Sequence, residues 1–265
     1  MSGDEVLVLV VSLILAVLLW GKAIYEAFRV RPRSSSTLVE RTAAVAVPLL
    51  CGGALYYVLR NYASHDVRDS TVYTTFYMSM GAAWVAAAMR VWGWLGISTR
   101  DDLIERGNAA AAFAIFGALF SVTFCFAGGN VGDGPGWWVV VFAALLSTGT
   151  LLVLWSVLER LSGVGEAITV DRDPATGLRA AGYLIASGLI LGRAVAGNWV
   201  SVDATVVDFA ALGWPVLVIF AVALITERLL RPSPHAPRRS PFLFGLPVFL
   251  AVIAASSWYL KVTSS

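Results

Sequence analysis

The chain has 265 residues, of which 58% are hydrophobic and 14% are charged, and its formal net charge is +2 at pH 7. This composition lies far from the average of soluble domains and leaves no room for a soluble enzyme domain beside the apolar segments. The basic residues are spread over short loops, which argues against a nucleic-acid partner. We therefore predict an all-α, polytopic membrane helix bundle in which residues 1–265 form a single integral membrane domain in contact with the lipid bilayer.

Apolar stretches of about the length needed to cross a bilayer, roughly 20 residues, follow one another along the chain. Asp4 and Glu5 precede the first stretch in place of a basic segment, and the stretch is too long for a secretory signal core, so we expect it to remain in the mature protein. Pro48, Pro215 and Pro247 fall inside spans and predict bends. The eight predicted spans are 5–24, 43–62, 72–95, 108–128, 137–158, 176–197, 207–226 and 242–261.

The loops between these spans carry their positive charge on alternating sides. Thirteen lysines and arginines lie in the first, third, fifth and seventh loops, whereas three lie on the other side. Cytoplasmic loops carry such an excess, so we predict a multi-pass protein of the cell inner (plasma) membrane with its N-terminus and C-terminus outside. The thirteen are Lys22, Arg29, Arg31, Arg33, Arg41, Arg100, Arg106, Arg160, Arg172, Arg228, Arg231, Arg238 and Arg239.

The approach to a span repeats with a period near 65 residues. Segments 41–44, 107–110 and 173–177 each open a helix that is rich in small residues, and Gly117 and Gly182 lie 65 residues apart in the second and third units. This pattern predicts helical hairpin repeats near 40–100, 105–165 and 172–230. The alternative is the general likeness of one alanine-rich membrane helix to another.

Two stripes of small residues predict where helices meet. Lipid tails provide no hydrophobic drive for helix association, so close backbone approach through small residues has to supply it. We expect the stripe of span six to pack against that of span four, either within one chain or between copies. The stripes are Gly188, Gly192 and Ala196 in span six, and Ala110, Ala114, Gly117, Ala118 and Ser121 in span four.

Residue types that carry chemistry are scarce within the spans. No Asp or Glu lies near the middle of a predicted span, whereas a coupled transporter usually keeps a carboxylate at membrane depth. Both histidines lie in loops, both lysines lie near span ends, and Cys51 and Cys125 have no metal-ligand spacing. We therefore predict that the protein is not an enzyme and has no catalytic, cofactor or metal site.

Three arginines lie inside predicted spans. We expect Arg90 and Arg179, each near a span end, to extend toward the headgroups. Arg193 lies about one turn before the outer end of span six and has two interpretations. In the first, it extends toward the outer headgroups or forms an ion pair with Asp203 or Asp208, of which we predict Asp208. In the second, it attracts anions at an outer vestibule.

Two stretches share a small-residue pattern with a known family. They are Glu105-Arg106-Gly107-Asn108-Ala109-Ala110-Ala111, followed by Gly117, and Asp173-Pro174-Ala175-Thr176-Gly177, followed by Gly182 and Gly188. They resemble the YjfL-like family, also called domain of unknown function 350, whose members are four-span inner-membrane proteins built from two hairpins. Each family hairpin has an Asn-x-Ala-Ala start and a glycine-rich helix; here Asn108 keeps the first start, while Asp173 and Thr176 depart from the second.

This resemblance covers roughly residues 70–200. It implies an inner-membrane location and an association with envelope-stress functions, and it brings no catalytic residues.

Two functions fit these observations. The first and slightly favoured is a passive pore or channel for an ion or small solute, formed between repeats or between copies in a homo-oligomer. The alternative is a non-transporting membrane scaffold or accessory subunit of a membrane complex. Its cytoplasmic partner would bind the seventh loop at Arg228, Arg231, Arg238 and Arg239. A wet, lipid-filled or closed central axis would discriminate between them.

Overall fold

The computed structural model describes residues 1–29, 37–232 and 240–263, with side chains in the second range from residue 45. Within these ranges the chain is helical, and its only bridge of the β type joins Ala63 and Gly132. The predicted all-α membrane helix bundle is therefore confirmed. The predicted loop residues Arg31, Arg33, Arg238 and Arg239, and the side chain of Arg41, lie outside the described residues.

Each predicted span coincides with helical structure over most of its length. The helices are α1 (Gly3–Arg29), α2 (Thr37–Asn61), α3 (His65–Arg68), α4 (Thr71–Trp94), α5 (Ala109–Gly128), α6 (Trp137–Ser162), α7 (Val164–Thr169), α8 (Pro174–Ala194), α9 (Val202–Gly213), α10 (Pro215–Leu230) and α11 (Leu246–Thr263). Two short π-helices, π1 (Thr99–Glu105) and π2 (Pro241–Gly245), precede α5 and α11.

Within the described residues, five helices have both the length and the apolarity of a complete membrane span, or six if a bent pair is one span. In the described part of the chain, α1, α5, α6, α8 and π2–α11 qualify, and α9 with α10 adds a sixth if the bent pair is one span. Helix α2 runs from Thr37 to Asn61, and the part whose side chains the structure describes, Val45–Asn61, is apolar. Helix α4 has the length, but its first three turns carry several hydroxyl groups.

The span predicted at 207–226 is broken. Helices α9 and α10 meet at Trp214 with a bend of 45°. Pro215, the first residue of α10, has no backbone N–H to continue the helix from α9. The bend predicted from this proline is therefore present.

Helices α5 and α8 form the centre of the bundle and make its most extensive helix–helix contact. Burial separates this centre from the periphery: 83% of the tested 18-residue stretch of α8 is buried, against 6% for α1. On α1, the side chains of Leu7, Val17 and Leu18 are 64%, 69% and 62% exposed. Such an apolar surface suits hydrocarbon rather than water, so we place α1 against lipid.

Helix α1 lies along α4 and is held by hydrogen bonds near its two ends. The indole nitrogen of Trp20 donates to the carbonyl of Ala82 at 2.9 Å. Near the other end, the indole nitrogen of Trp137 donates to the Asp4 carboxylate at 3.1 Å. These bonds fix a helix whose packing surface is small.

Candidate functional site

The centre of the molecule is a seam in which the backbones of α5 and α8 touch. A Cβ atom added at Gly117 would lie 2.5 Å from the Cα of Ala181, and one added at Gly188 would lie 2.4 Å from the Cα of Ser121. Real Cβ atoms do not approach backbone so closely, and glycine alone permits this contact. Residue numbers rise together across the seam, from Gly177 against Ala110 to Gly192 against Phe124, so the two helices run parallel.

The structure brings the two predicted stripes together in this seam, with one exception. Ala110, Ala114, Gly117, Ala118 and Ser121 of α5 and Gly188 and Gly192 of α8 are all buried. Ala196 does not extend the stripe, because α8 ends at Ala194 and Ala196 belongs to the following turn.

The turns that lead into α5 and α8 are equivalent at positions 65 residues apart. Gly107 and Arg172 both have left-handed φ values, +58° and +53°. The next residue in each turn, Asn108 or Asp173, donates its backbone N–H to the carbonyl six positions earlier at 3.0 Å. Each of these two side chains then caps the helix that follows. The turn geometry therefore repeats with the predicted period.

The two caps differ in their side-chain hydrogen bonds. Asn108 donates its side-chain amide to the carbonyl of Ile168 at 2.8 Å, which ties the first turn to α7. In the second turn, the Oδ2 atom of Asp173 accepts from the backbone N–H and the hydroxyl of Thr176, at 3.0 and 2.7 Å. The Oδ1 atom of Asp173 is buried and has no partner among the described residues.

Because of this difference, we expect Asp173→Asn to be tolerated and Asn108→Asp to destabilise the protein. Asp173→Asn keeps the accepting oxygen for Thr176 and removes a half-paired buried carboxylate, so the unfolding midpoint in detergent should stay near that of the wild type. Asn108→Asp removes the donor to Ile168 and should cost about 1–3 kcal/mol. A larger loss for Asp173→Asn than for Asn108→Asp would contradict this interpretation.

A buried ion pair joins α8 to α10. The guanidinium of Arg179 donates from Nε and Nη2 to the two carboxylate oxygens of Glu227, at 2.6 and 2.7 Å. The side chains are 0% and 2% exposed. Arg179 also donates to the hydroxyl of Thr176 at 2.9 Å and to the carbonyl of Phe244 at 3.1 Å. One side chain thus fixes α8, α10 and π2 together.

This pair corrects the expectation that Arg179 extends toward the headgroups. Arg179 remains inside the bundle because Glu227 gives it a bidentate partner, which guanidinium groups favour. Sequence reasoning missed Glu227 because it lies one residue beyond the predicted end of its span, at 226. The sequence did contain a signal, since one arginine and one carboxylate lie toward the same predicted side of the membrane in consecutive apolar helices.

The expected pair between Arg193 and Asp208 was wrong. Arg193 donates to the carbonyl of Ala196 at 3.4 Å and to the carbonyl of Thr263. Carbonyls in the last turn of a helix lack intrahelical partners and attract cations, and Thr263 is the last residue of α11. Asp203 and Asp208 are exposed and form no ion pair within the described part of the chain.

Arg228 and Arg231, predicted to bind a cytoplasmic partner, contact their own chain. Arg228 donates from Nε to the carbonyl of Leu161 at 3.1 Å. Arg231 donates to the carbonyl of Ser162 at 3.3 Å and pairs with the carboxylate of Glu166. These bonds tie the end of α10 to the junction of α6 and α7.

A cavity of about 590 Å³ lies beside the central seam, between α1, α2, α4, α5 and π1. Most of its lining is apolar, and its charged residues come from the ends of α1 and α4 and from π1. Sequence reasoning did not find it, because five separate segments form its wall.

No metal centre accompanies these features in the part of the chain that the structure describes, where no group of three or more His, Cys, Asp or Glu could hold an ion. Cys51 and Cys125 are buried free thiols. Comparison with known proteins yields no matching family model, curated protein or solved structure. The geometry itself therefore carries the functional argument for this membrane helix bundle.

Proposed function

We propose that this protein is a non-transporting membrane scaffold or accessory subunit. The observation that carries the proposal is the closed seam between α5 and α8, the interface at which a pore between repeats would have to open. The proposal therefore favours the alternative predicted from the sequence over the passive pore.

The seam leaves no space for a continuous row of water molecules or ions. A water molecule needs a polar cavity with space for at least one probe sphere and two to four hydrogen-bonding partners. At Gly128, an added Cβ would lie 2.0 Å from the carbonyl oxygen of Gly192. Contacts this close continue from Gly177 to Gly192 along α8, so dry backbone fills the interface.

The charges inside the bundle also favour a structural role. Permeation pathways are lined by rings of charged groups or carbonyls that bind an ion and then release it. Both carboxylate oxygens of Glu227 instead accept from Arg179, which also donates to Thr176 and Phe244. An arrangement of this kind fixes helix positions.

The repeat and the family resemblance belong to the same proposal. We propose that the hairpins near 105–165 and 172–230 are diverged copies that meet through α5 and α8, and that the chain is related to the YjfL-like family. The equivalent turns at Gly107 and Arg172 and the parallel packing of the two helices support the duplication.

A flux measurement tests the proposal. Purified full-length protein is reconstituted into vesicles containing an ion-sensitive dye, beside empty vesicles and vesicles with an added ionophore. We expect the protein vesicles to respond like the empty ones. Flux that Gly188→Ala alters would indicate a pore in the seam, and flux that Gly188→Ala leaves unchanged would indicate a pore between copies. Either result would overturn the scaffold proposal.

A further inference from the structure

The cavity beside the seam has the shape and size of a site for an elongated ligand. Its volume of about 590 Å³ lies within the roughly 300–1,000 Å³ typical of small-molecule sites. Its wall follows α4 from Met78 to Trp94, a rise of roughly 24 Å at about 1.5 Å per residue. That exceeds the roughly 15 Å of hydrocarbon in one leaflet, so the cavity is long enough for an acyl chain.

The lining divides into an apolar body and a charged end. Leu55, Gly81 and Leu119 belong to the body, where Thr123 uses its hydroxyl on the carbonyl of Leu119 at 2.8 Å. At the other end, the lining consists largely of charged and hydroxyl side chains: Glu26, Arg90, Ser98, Thr99, Arg100 and Asp101. This division matches an amphiphile with its head at the end that carries π1.

One of these charged groups is available to a ligand. Arg100 lies 4.0 Å from Asp101, and Glu26 lies 3.9 Å from Lys22. Arg90 forms neither a hydrogen bond nor an ion pair with any residue that the structure describes. A guanidinium provides a planar fork of donors that matches the oxygens of a phosphate.

Two glycines leave open space in the cavity wall. A Cβ atom added at Gly52 on α2 or at Gly93 on α4 would meet no other atom within 4 Å, and both residues line the cavity. Gly53, the neighbour of Gly52, has the same free space but does not line the cavity. A side chain at Gly52 can therefore leave the helix backbone and enter the site without its Cβ atom meeting another part of the protein.

We propose that this cavity binds a bilayer phospholipid, with one acyl chain between α1, α2, α4 and α5 and the phosphate on Arg90. The headgroup then lies beside π1, where Ser98 and Thr99 provide further hydroxyls. The proposal is independent of whether the protein acts as a scaffold or as a pore.

Lipid binding to the full-length protein in detergent tests the assignment. The probes are phosphatidylglycerol, a diacylglycerol with the same acyl chains, and inorganic phosphate, read by native mass spectrometry and by the shift of the unfolding midpoint. We expect phosphatidylglycerol alone to bind and stabilise the wild type. Arg90→Gln should weaken its binding about tenfold, the effect of losing a charge-assisted hydrogen bond, whereas Arg160→Gln, an exposed arginine of α6, should not.

A matched pair of variants tests the part of the cavity that would hold the acyl chain. Gly52→Leu should abolish binding and Gly53→Leu should leave it unchanged; Gly93→Leu replaces Gly52→Leu if that variant does not fold. Binding retained in the cavity-filling variant would overturn the proposal. Equal stabilisation by diacylglycerol would remove the role of the phosphate, and stabilisation by inorganic phosphate alone would remove the lipid; either result would also overturn it.

Discussion

Glu227→Leu is expected to lower the free energy of unfolding by about 3–5 kcal/mol, because it leaves the Arg179 guanidinium buried without its counter-ion. Arg179→Met should have a similar effect, since it leaves the carboxylate buried instead. The double variant Arg179→Met/Glu227→Leu should lose much less than the two single variants together, because it removes both charges. Thermal unfolding in detergent measures all three.

A surface pair provides the control for this experiment. The carboxylate of Glu166 pairs with Arg231, but the two side chains are 60% and 39% exposed. Exposed ion pairs contribute at most about 1 kcal/mol, so Glu166→Gln should have a small effect. If the losses from Arg179→Met and Glu227→Leu simply added in the double variant, the two side chains would not be coupled and the buried pair would be refuted.

Gly188→Ala is expected to destabilise the protein by about 1–3 kcal/mol or more, as overpacking of a tight interior does. The added methyl group would meet the Cα of Ser121 at 2.4 Å and its carbonyl oxygen at 2.7 Å. Because the obstacle is backbone, trimming the partner side chain in Gly188→Ala/Ser121→Gly should not restore stability. The unfolding midpoint in detergent reports both changes.

A glycine-to-alanine substitution at an uncrowded position separates the effect of packing on stability from the effect of helix propensity. Gly149 lies in the middle of α6, and an added Cβ there would meet nothing within 4 Å. Gly149→Ala should therefore be neutral or stabilising by up to about 1 kcal/mol. If Gly188→Ala were as well tolerated as Gly149→Ala, the seam would not be closed.

The sequence was sufficient for the fold class and for the location of the seam. The length of an apolar stretch decides whether it can form a membrane helix, and that length is visible in the sequence. Each predicted span accordingly coincides with helical structure over most of its length. Gly117 and Gly188 were identifiable because close packing in lipid requires small residues at regular spacing. The sequence also predicted that these two stripes pack against each other, and the structure brings them together.

The sequence was insufficient wherever partners come from distant segments. Glu227 follows Arg179 by 48 positions, and the bend at Pro215 sets the path of α10 toward it. Arg193 donates to the backbone carbonyl of Thr263. Every residue has a backbone carbonyl, so the residue types of a sequence do not indicate which one accepts. The cavity behind Arg90 likewise depends on how five segments are placed.

The most central helix is also the least apolar of those that qualify as single spans. Among the helices that qualify as single spans, α8 has the lowest mean hydropathy, and it carries the buried Arg179. A segment of this kind partitions poorly from the translocon into lipid by itself, since its hydropathy is low and it carries an arginine, a residue type that opposes insertion. Helix α10, which brings Glu227, is synthesised later. We therefore expect contact with the already inserted α5 to stabilise α8 until α10 emerges from the ribosome.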